Sequence, residues 1–249
     1  MQRYFVNQAA FVDGYVHLYG DEAHHITRVM RMTQGDEIIC ANGQATALCK
    51  LEKISTDSVV AIVMEWLEEC SELPHHVTIA QGMPKGNKLE IIVQKGTELG
   101  ASHFLPFYSS RAIVKWKSDK ENKKLVRLEK IAKEAAEQSH RQRVPTVSTP
   151  VPFDSLLELS VNYQLKIVAY EEEARNNKRD ELSKFLQALH NEQSILFVVG
   201  PEGGFTTEEI AKLRDNDFYV CGLGPRILRT ETASLYFLSA LSYETELKR

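Results

Sequence analysis

Over the first seventy positions, apolar and polar residues alternate in short runs. Residues 36–40, 46–51 and 59–63 are rich in apolar and β-branched side chains, which is the pattern of strands. Asn42-Gly43 and Ser55-Thr-Asp-Ser58 separate them. Both are turn signals, and Asn-Gly between two strand patterns predicts a hairpin. One helix interrupts the strands at 21–31. There Ala23, Ile26, Val29 and Met30 form a single stripe, leaving His24, His25, Arg28 and Arg31 on other faces. Together these elements predict a small β-barrel with one helix. Residues 68–74 are polar, end in proline and read as a linker.

From residue 75 the rhythm becomes strand–helix alternation. Strands are expected at 77–80, 103–107, 165–169, 195–199 and 219–223, and helices at 88–99, 120–139, 178–189, 206–216 and 230–246. Gly100 sits where a left-handed residue closes the first of these helices. Thr206-x-x-Glu209 is a capping box that opens the fourth. This alternation predicts an α/β layer around a mostly parallel sheet. The change of rhythm predicts two domains, residues 1–72 and 73–249.

The chain has 249 residues, 43% hydrophobic and 26% charged, enough to bury a core. Its longest apolar runs, such as 195–199, fall far short of the ~20 residues of a membrane span, and residues 1–6 lack the apolar stretch of a signal peptide. Cys40, Cys49, Cys70 and Cys221 lie far apart with no C-x-x-C pair. That argues against a disulfide scaffold or zinc ribbon and favours a reduced, cytoplasmic setting, with no membrane partner expected. The net charge of −4 conceals an asymmetry. Residues 1–72 sum to −6, residues 73–149 to +7 and residues 150–249 to −5. Positive charge is densest between Arg111 and Arg143. A local basic surface on an acidic protein can hold a phosphate backbone, although a solvated helix face has the same composition.

In an open parallel sheet, ligands bind where loops leave the carboxyl ends of strands. Three such loops are candidates: Ala169-Tyr-Glu-Glu-Glu173, Gly200-Pro-Glu-Gly-Gly-Phe205, and Gly222-Leu-Gly-Pro-Arg-Ile-Leu-Arg-Thr-Glu-Thr232. Glycine lets a ligand approach the main chain, and proline fixes a turn. Neither a G-K-[ST] sequence nor G-x-G-x-x-G accompanies them, so mononucleotide and dinucleotide fingerprints are absent. The third loop carries Arg226 and Arg229 on either side of apolar Ile227 and Leu228. Two glycine–proline bends, two apolar side chains and two guanidinium groups suit a flat, adenine-like ring with a polar tail. The alternative for the arginines is ion pairing with Glu202 or Glu231.

Gly200-Pro-Glu-Gly-Gly204 followed by Leu223-Gly-Pro-Arg-Ile-Leu-Arg-Thr-Glu-Thr-Ala233 closely resembles the ribosomal RNA small-subunit methyltransferase E family, of the SPOUT class of RNA methyltransferases. Arg3-Tyr-Phe5, His24-His25 with Arg28 and Arg31, Lys85-Gly-x-Lys88, Gln94-Lys95 with Glu98-Leu-Gly100, and Glu137-Gln138 with Arg141-x-Arg143-Val-Pro145 extend the resemblance over almost the whole chain. It implies a PUA-like, RNA-binding β-barrel at the N-terminus and a methyltransferase domain with a deep trefoil knot. It also implies a homodimer with the last helix at the interface. The implied cofactor is S-adenosylmethionine, held by Ala169 and Tyr170, by Val199, Gly200, Pro201 and Gly203, and by Leu223, Gly224, Ile227 and Leu228. The implied reaction is methylation of N3 of one uridine in 16S ribosomal RNA of the small ribosomal subunit.

A neutral uridine N3 is a poor nucleophile, so a carboxylate is expected to take its proton and an arginine to stabilise the charge on O2 and O4. Glu202 and Glu231 are the candidates for the first role, Arg229 or Arg226 for the second, and Glu231 can equally serve the dipole of the last helix. No metal is required. RNA contacts are expected from Arg3, Arg28 and Arg31 on the barrel, and from Arg111, Lys115, Lys117, Arg141 and Arg143 on the methyltransferase domain. Trp116 either stacks a base or packs as a structural residue. Two other readings remain: a SPOUT methyltransferase acting on another RNA, and an RNA-binding ribosome assembly factor without catalysis.

Overall fold

The computed structural model describes residues 1–68, 71–172, 181–190 and 192–248. The chain divides into two compact units, Met1–Glu72 with Ala136–Val144, and Leu73–Ala135 with Pro145–Arg249. Segment 136–144, placed by the sequence reading in the second domain, thus packs with the first.

Unit 1 is built on strands β1 (Gln2–Phe5), β2 (Phe11–Val12), β3 (Tyr15–Tyr19), β4 (Glu37–Ala41), β5 (Thr46–Ile54) and β6 (Ser58–Leu67). They form one sheet in the order β1-β4-β5-β6-β3-β2, with β1 parallel to β4 and the other pairs antiparallel. Alternate residues point inward, so Val16, Leu18, Ile38, Cys40, Ala47, Cys49, Val59 and Ala61 share one buried cluster. The Asn42-Gly43 turn joins β4 to β5: the Asn42 side chain accepts from the Gln44 and Ala45 amides, and Gly43 adopts φ +84°.

Helix α1 (Gly20–His24) continues into a π-type turn, His25–Val29. This turn corrects the expected apolar stripe. Ala23 and Ile26 are buried, but Val29 and Met30 are exposed, because a wider turn rotates later residues off the inward face. His25 is committed to packing: its Nδ1 lies 3.0 Å from the Tyr4 hydroxyl. Burial pushes the Tyr4 phenol far above its ordinary value.

The 68–74 segment is also not a plain linker. Residues 69 and 70, including Cys70, lie outside the described residues, but Glu72 and Leu73 are anchored. The Glu72 carboxylate pairs with the Arg141 guanidinium and accepts from the Gln142 and Arg143 amides at 2.9 and 3.2 Å. The Arg141 carbonyl accepts from Arg3 Nη1 at 2.8 Å. Arg3 and Arg141 are both buried, so they serve this internal network and not a nucleic-acid surface, correcting that expectation for the two residues.

Unit 2 carries a seven-stranded sheet in the order β10-β8-β7-β12-β11-β13, with β9 beside β8 and every pair parallel. Its strands are β7 (His76–Gly82), β8 (His103–Tyr108), β9 (Thr146–Val147), β10 (Val151–Pro152), β11 (Leu165–Ala169), β12 (Ser194–Val199) and β13 (Tyr219–Cys221). Its helices are α2 (Lys88–Glu98), α3 (Ser118–Gln138, whose last residues belong to unit 1), α4 (Phe153–Ser160), α5 (Glu181–Gln187), α6 (Thr207–Asp215) and α7 (Thr230–Ser242). The short β9, β10 and α4 carry too little periodicity to be read from sequence. The start of the helix expected at 178–189 lies outside the described residues. The helix expected over 230–246 ends at Ser242 and continues as a π-type turn.

Central β12 is buried on both faces, as parallel strands are. Leu196 and Val198 join Phe107, Phe205 and Leu213 on one side. On the other side the Phe197 ring stacks on Phe237 of α7 at 3.9 Å between centroids. Among the described residues, no helix is long and apolar enough to cross a membrane.

Burial pushes the Glu72 carboxyl up, but the Arg141 hydrogen bond and charge and the two amides outweigh it and hold the group below its ordinary value. A depressed folded-state value gives stability that is present above the unfolded carboxyl value and is lost as pH falls through the folded one. Glu72→Ala should therefore cost about 3 kcal/mol at neutral pH, because it removes the carboxylate paired with a buried guanidinium. Its deficit against the wild type should shrink on acidification through about pH 4 and below. Urea denaturation at several pH values measures both.

Candidate active site

The loops leaving β11, β12 and β13 enclose a cavity of about 820 Å³ in unit 2. Its wall includes Ala169 at the end of β11 with Tyr170, Glu171 and Glu172 after it, Val199 at the end of β12 with residues 200–205 after it, and Leu223 with residues 225–229 after β13 and Thr230 at the start of α7. Lys88 of α2, Arg111 after β8 and Ala233 of α7 complete it. This volume is in the range of cavities that enclose drug-sized ligands.

A buried carboxamide ties the wall together. Gln81, at the end of β7, donates to the Thr230 hydroxyl at 2.7 Å and to the Gly82 carbonyl at 3.0 Å, and accepts from Ser234 at 2.9 Å. Thr230 in turn donates to the Gly200 carbonyl at 2.7 Å. Strand β7, the loop after β12 and the first turn of α7 are thereby fixed by groups shielded from water, where each such bond is costly to lose. Gly82 makes this approach possible: a Cβ there would lie 2.6 Å from the Pro201 ring. Gly224 adopts φ +93°, a region that favours glycine, and so turns the third loop.

The Thr206–Glu209 capping box forms as expected, with Glu209 almost fully buried. Its carboxylate also accepts from the Ser110 amide at 2.7 Å, so the cap of α6 positions the neighbouring Arg111. Arg111 donates from Nη1 to the Gly203 carbonyl at 2.9 Å. An arginine expected at an RNA surface therefore stands in the cavity wall.

The two candidate glutamates do not pair with the arginines. Lys88 Nζ lies 2.9 Å from Glu202 Oε1 and 3.2 Å from Glu231 Oε2. Arg226 and Arg229 remain exposed, without ion pairs among the described residues. Burial raises the Glu202 carboxyl, but the Lys88 contact and the Lys85 amide at 3.1 Å reverse this and leave it below its ordinary value. The Lys88 ammonium is raised, first by Glu202 and then, against some desolvation, by Glu231. Sequence reasoning quoted Lys88 as part of a motif but gave it no place in the site. A lone lysine at a helix start carries no signal of its own, since its partners lie more than a hundred residues away.

The remaining candidates are dispersed. Ala169, Tyr170, Val199, Gly200, Pro201, Gly203, Leu223, Ile227 and Leu228 all line the cavity; Gly224 does not. Glu173 of the first loop lies outside the described residues. Arg28 and Arg31 are exposed on unit 1, and Lys115 and Lys117 on unit 2. Arg143 is exposed but belongs to unit 1, where its Nε donates to the Gly43 carbonyl at 2.9 Å. Trp116 is half-buried with the Lys124 ammonium 5.2 Å from its ring centre.

Residues 71–242 match the RNA methyltransferase domain family, and residues 18–64 match the RNA methyltransferase PUA domain family. An α/β sheet with a strand-end cavity and a PUA domain in one chain define an RNA methyltransferase. Ribosomal RNA small subunit methyltransferase E of Bacillus subtilis is 48% identical over 253 residues, covering 100% of this chain and 99% of its own. The Mycobacterium tuberculosis protein of the same description is 32% identical over 91% of this chain and 85% of its own. The crystal structure of ribosomal RNA small subunit methyltransferase E from Neisseria gonorrhoeae bound to S-adenosyl methionine matches with a TM-score of 0.85 at 28% identity, over 97% of each chain. This chain belongs to the ribosomal RNA small subunit methyltransferase E family.

Gly82→Ala should lower the thermal midpoint, with a loss of about 1–3 kcal/mol, because the added methyl meets the Pro201 ring and backbone. A melt unchanged from wild type would show that the approach of β7 to the loop is not constrained.

Proposed function

We propose that this chain methylates N3 of one uridine in 16S ribosomal RNA, with S-adenosylmethionine as donor. The observation that carries the reading is the cavity itself: three strand-end loops offering backbone atoms, an apolar slot and two arginines without ion pairs among the described residues. Val199, Leu223, Ile227, Leu228 and Ala233 suit an adenine ring, and the backbone of residues 200–204 on the same wall suits the polar remainder, so the residues fit that donor. When bound, the donor supplies an electrophilic methyl on a sulfonium.

The protein's own part is to bind, align and ionise the base. Arg229 directs its guanidinium charge toward the O2 or O4 carbonyl as N3 loses its proton, and a carboxylate of the Glu202–Glu231 pair receives that proton. The bond made is N3–CH3 and the bond broken is S–CH3. The products are N3-methyluridine and S-adenosylhomocysteine. Alignment within van der Waals contact supplies the rest of the rate. Family membership supports a trefoil knot around these loops, a homodimer formed through α7 and a cytoplasmic setting. The exposed Tyr236 and Tyr243 of the last helical segment suit that interface. Arg28 and Arg31 on the PUA-like unit, with Lys115 and Lys117 on the methyltransferase unit, supply phosphate contacts.

Mass mapping of 16S ribosomal RNA from a deletion strain should show one uridine lacking one methyl, restored by the wild-type gene. An unchanged map would overturn the target. Arg229→Ala should lower kcat by about a hundredfold, with a much smaller change in donor affinity by calorimetry. RNA affinity should fall steeply with salt, and replacing Arg28 and Arg31 with alanine should flatten the log–log slope by about one unit per lost phosphate contact.

A further inference from the structure

Helix α3 carries a charge pattern that the cavity does not use. At about 100° per residue, Lys120, Lys123, Lys124, Arg127 and Lys130 fall within an arc of about 120°. Glu121 and Glu129 project from other faces, and Asp119 and Glu134 border the arc at its two ends. Leu128, Ala132 and Ala135 are buried away from it. Lys120 and Lys123 are exposed, and among the described residues their ammonium groups make no hydrogen bond or ion pair. The same holds for Lys115 and Lys117, just before the helix. A chain of net charge −4 thus leaves these four ammonium groups unpaired among the described residues, close together in sequence. Their mutual repulsion is relieved by a polyanion.

Two ties bring this face to the cavity's end of the sheet, and both lie within unit 2. Tyr108 ends β8, three residues before Arg111 of the cavity wall, and its hydroxyl accepts from the Trp116 amide at 3.0 Å. The Trp116 ring in turn carries the Lys124 ammonium, 5.2 Å from its centre. Further along the helix, Arg127 Nη2 donates to Glu90 Oε2 at 2.8 Å. Glu90 belongs to the first turn of α2, which also supplies Lys88 to the cavity wall.

We infer that the Lys120–Lys130 face of α3 is a phosphate-binding track for the backbone of the substrate RNA, extending from the cavity's end of the sheet past Lys115 and Lys117. This rests on the ribosomal RNA reading above. The helix rise sets Lys120 and Lys130 about 15 Å apart, enough to face several phosphates of one strand. Lysines hold phosphates as point charges and read no bases, so the track contributes affinity and orientation while the cavity selects the nucleotide. An acidic protein would meet the same charges. RNA is favoured because the base to be methylated must enter the cavity, which brings its own strand to this end of the sheet.

The test is the binding of 16S ribosomal RNA, without donor, as a function of salt concentration. Lys120→Gln/Lys123→Gln should weaken binding about tenfold and flatten the log–log slope by about two units, one for each lost phosphate contact. Lys120→Arg/Lys123→Arg should keep the wild-type slope. Lys212→Gln, which removes an exposed lysine paired with Asp154 on α6, should leave it unchanged. In methylation of small ribosomal subunits the double glutamine variant should raise KM, and calorimetry without RNA should show unaltered donor affinity. A wild-type slope in that variant overturns the track and leaves an acidic protein as the partner of this face. An equal loss in Lys212→Gln also overturns it, by reducing the effect to net charge. If the wild type forms no N3-methyluridine in small subunits, the function proposed above fails by itself, because the slope is read without catalysis. Circular dichroism of each variant separates a folding loss from a loss of binding.

Discussion

The cavity of unit 2 depends on one buried carboxamide. Gln81 stands where β7 ends and reaches Thr230 and Ser234 of α7, while Thr230 holds the Gly200 carbonyl. These are side-chain bonds between elements far apart in the chain, made in an environment where water cannot replace them. Without them the loop after β12 and the start of α7 would have no fixed relation. The glycine–proline bends would then be loose turns, not the two sides of a slot. The close approach at Gly82 and the Phe197–Phe237 stack confine the same elements through packing. Polar and apolar constraints thus converge on the place where ligand-facing backbone must be held still.

Charge is arranged around this frame in two ways. Lysine and glutamate form a closed group on one side, with the Lys88 ammonium between Glu202 and Glu231. Arginines also line the cavity: Arg226 and Arg229 make no ion pairs among the described residues, and Arg111 is steered by a backbone carbonyl and by the cap of α6. A cavity whose Glu202 is paired with Lys88 and whose wall carries guanidinium groups favours a ligand that becomes negative during reaction. Unit 1 uses an arginine for the opposite purpose. Arg141 is buried and pairs with Glu72, as a link within the unit.

Much of the architecture was legible because its causes are local. The β11 and β12 strands are runs of apolar residues, the Thr206–Glu209 box is a four-residue signal, and Asn42-Gly43 makes the turn such pairs make. The three strand-end loops were legible because glycine and proline concentrate there. What escaped was set by distance in sequence or by changes in helical pitch. The π-type turn after His24 redirects Val29 and Met30 with no local marker. Arg3 and Arg141 resemble surface cations until Glu72 is placed beside Arg141 and the Arg141 carbonyl beside Arg3. Lys88 gains meaning only when residues 202 and 231 arrive next to it.

Unit 1 is not contiguous: it needs residues 136–144, made only after β7, α2, β8 and most of α3. During synthesis on the ribosome the N-terminal sheet therefore emerges before the partner of Glu72 exists. The nascent chain cannot finish its first module and then start its second. All six strands of its sheet can pair first, but the Glu72–Arg141 contact forms only after the following segment is translated. A premature stop or a cut within α3 would thus leave Glu72 without its partners at 141–143, even though residues 1–72 were made in full.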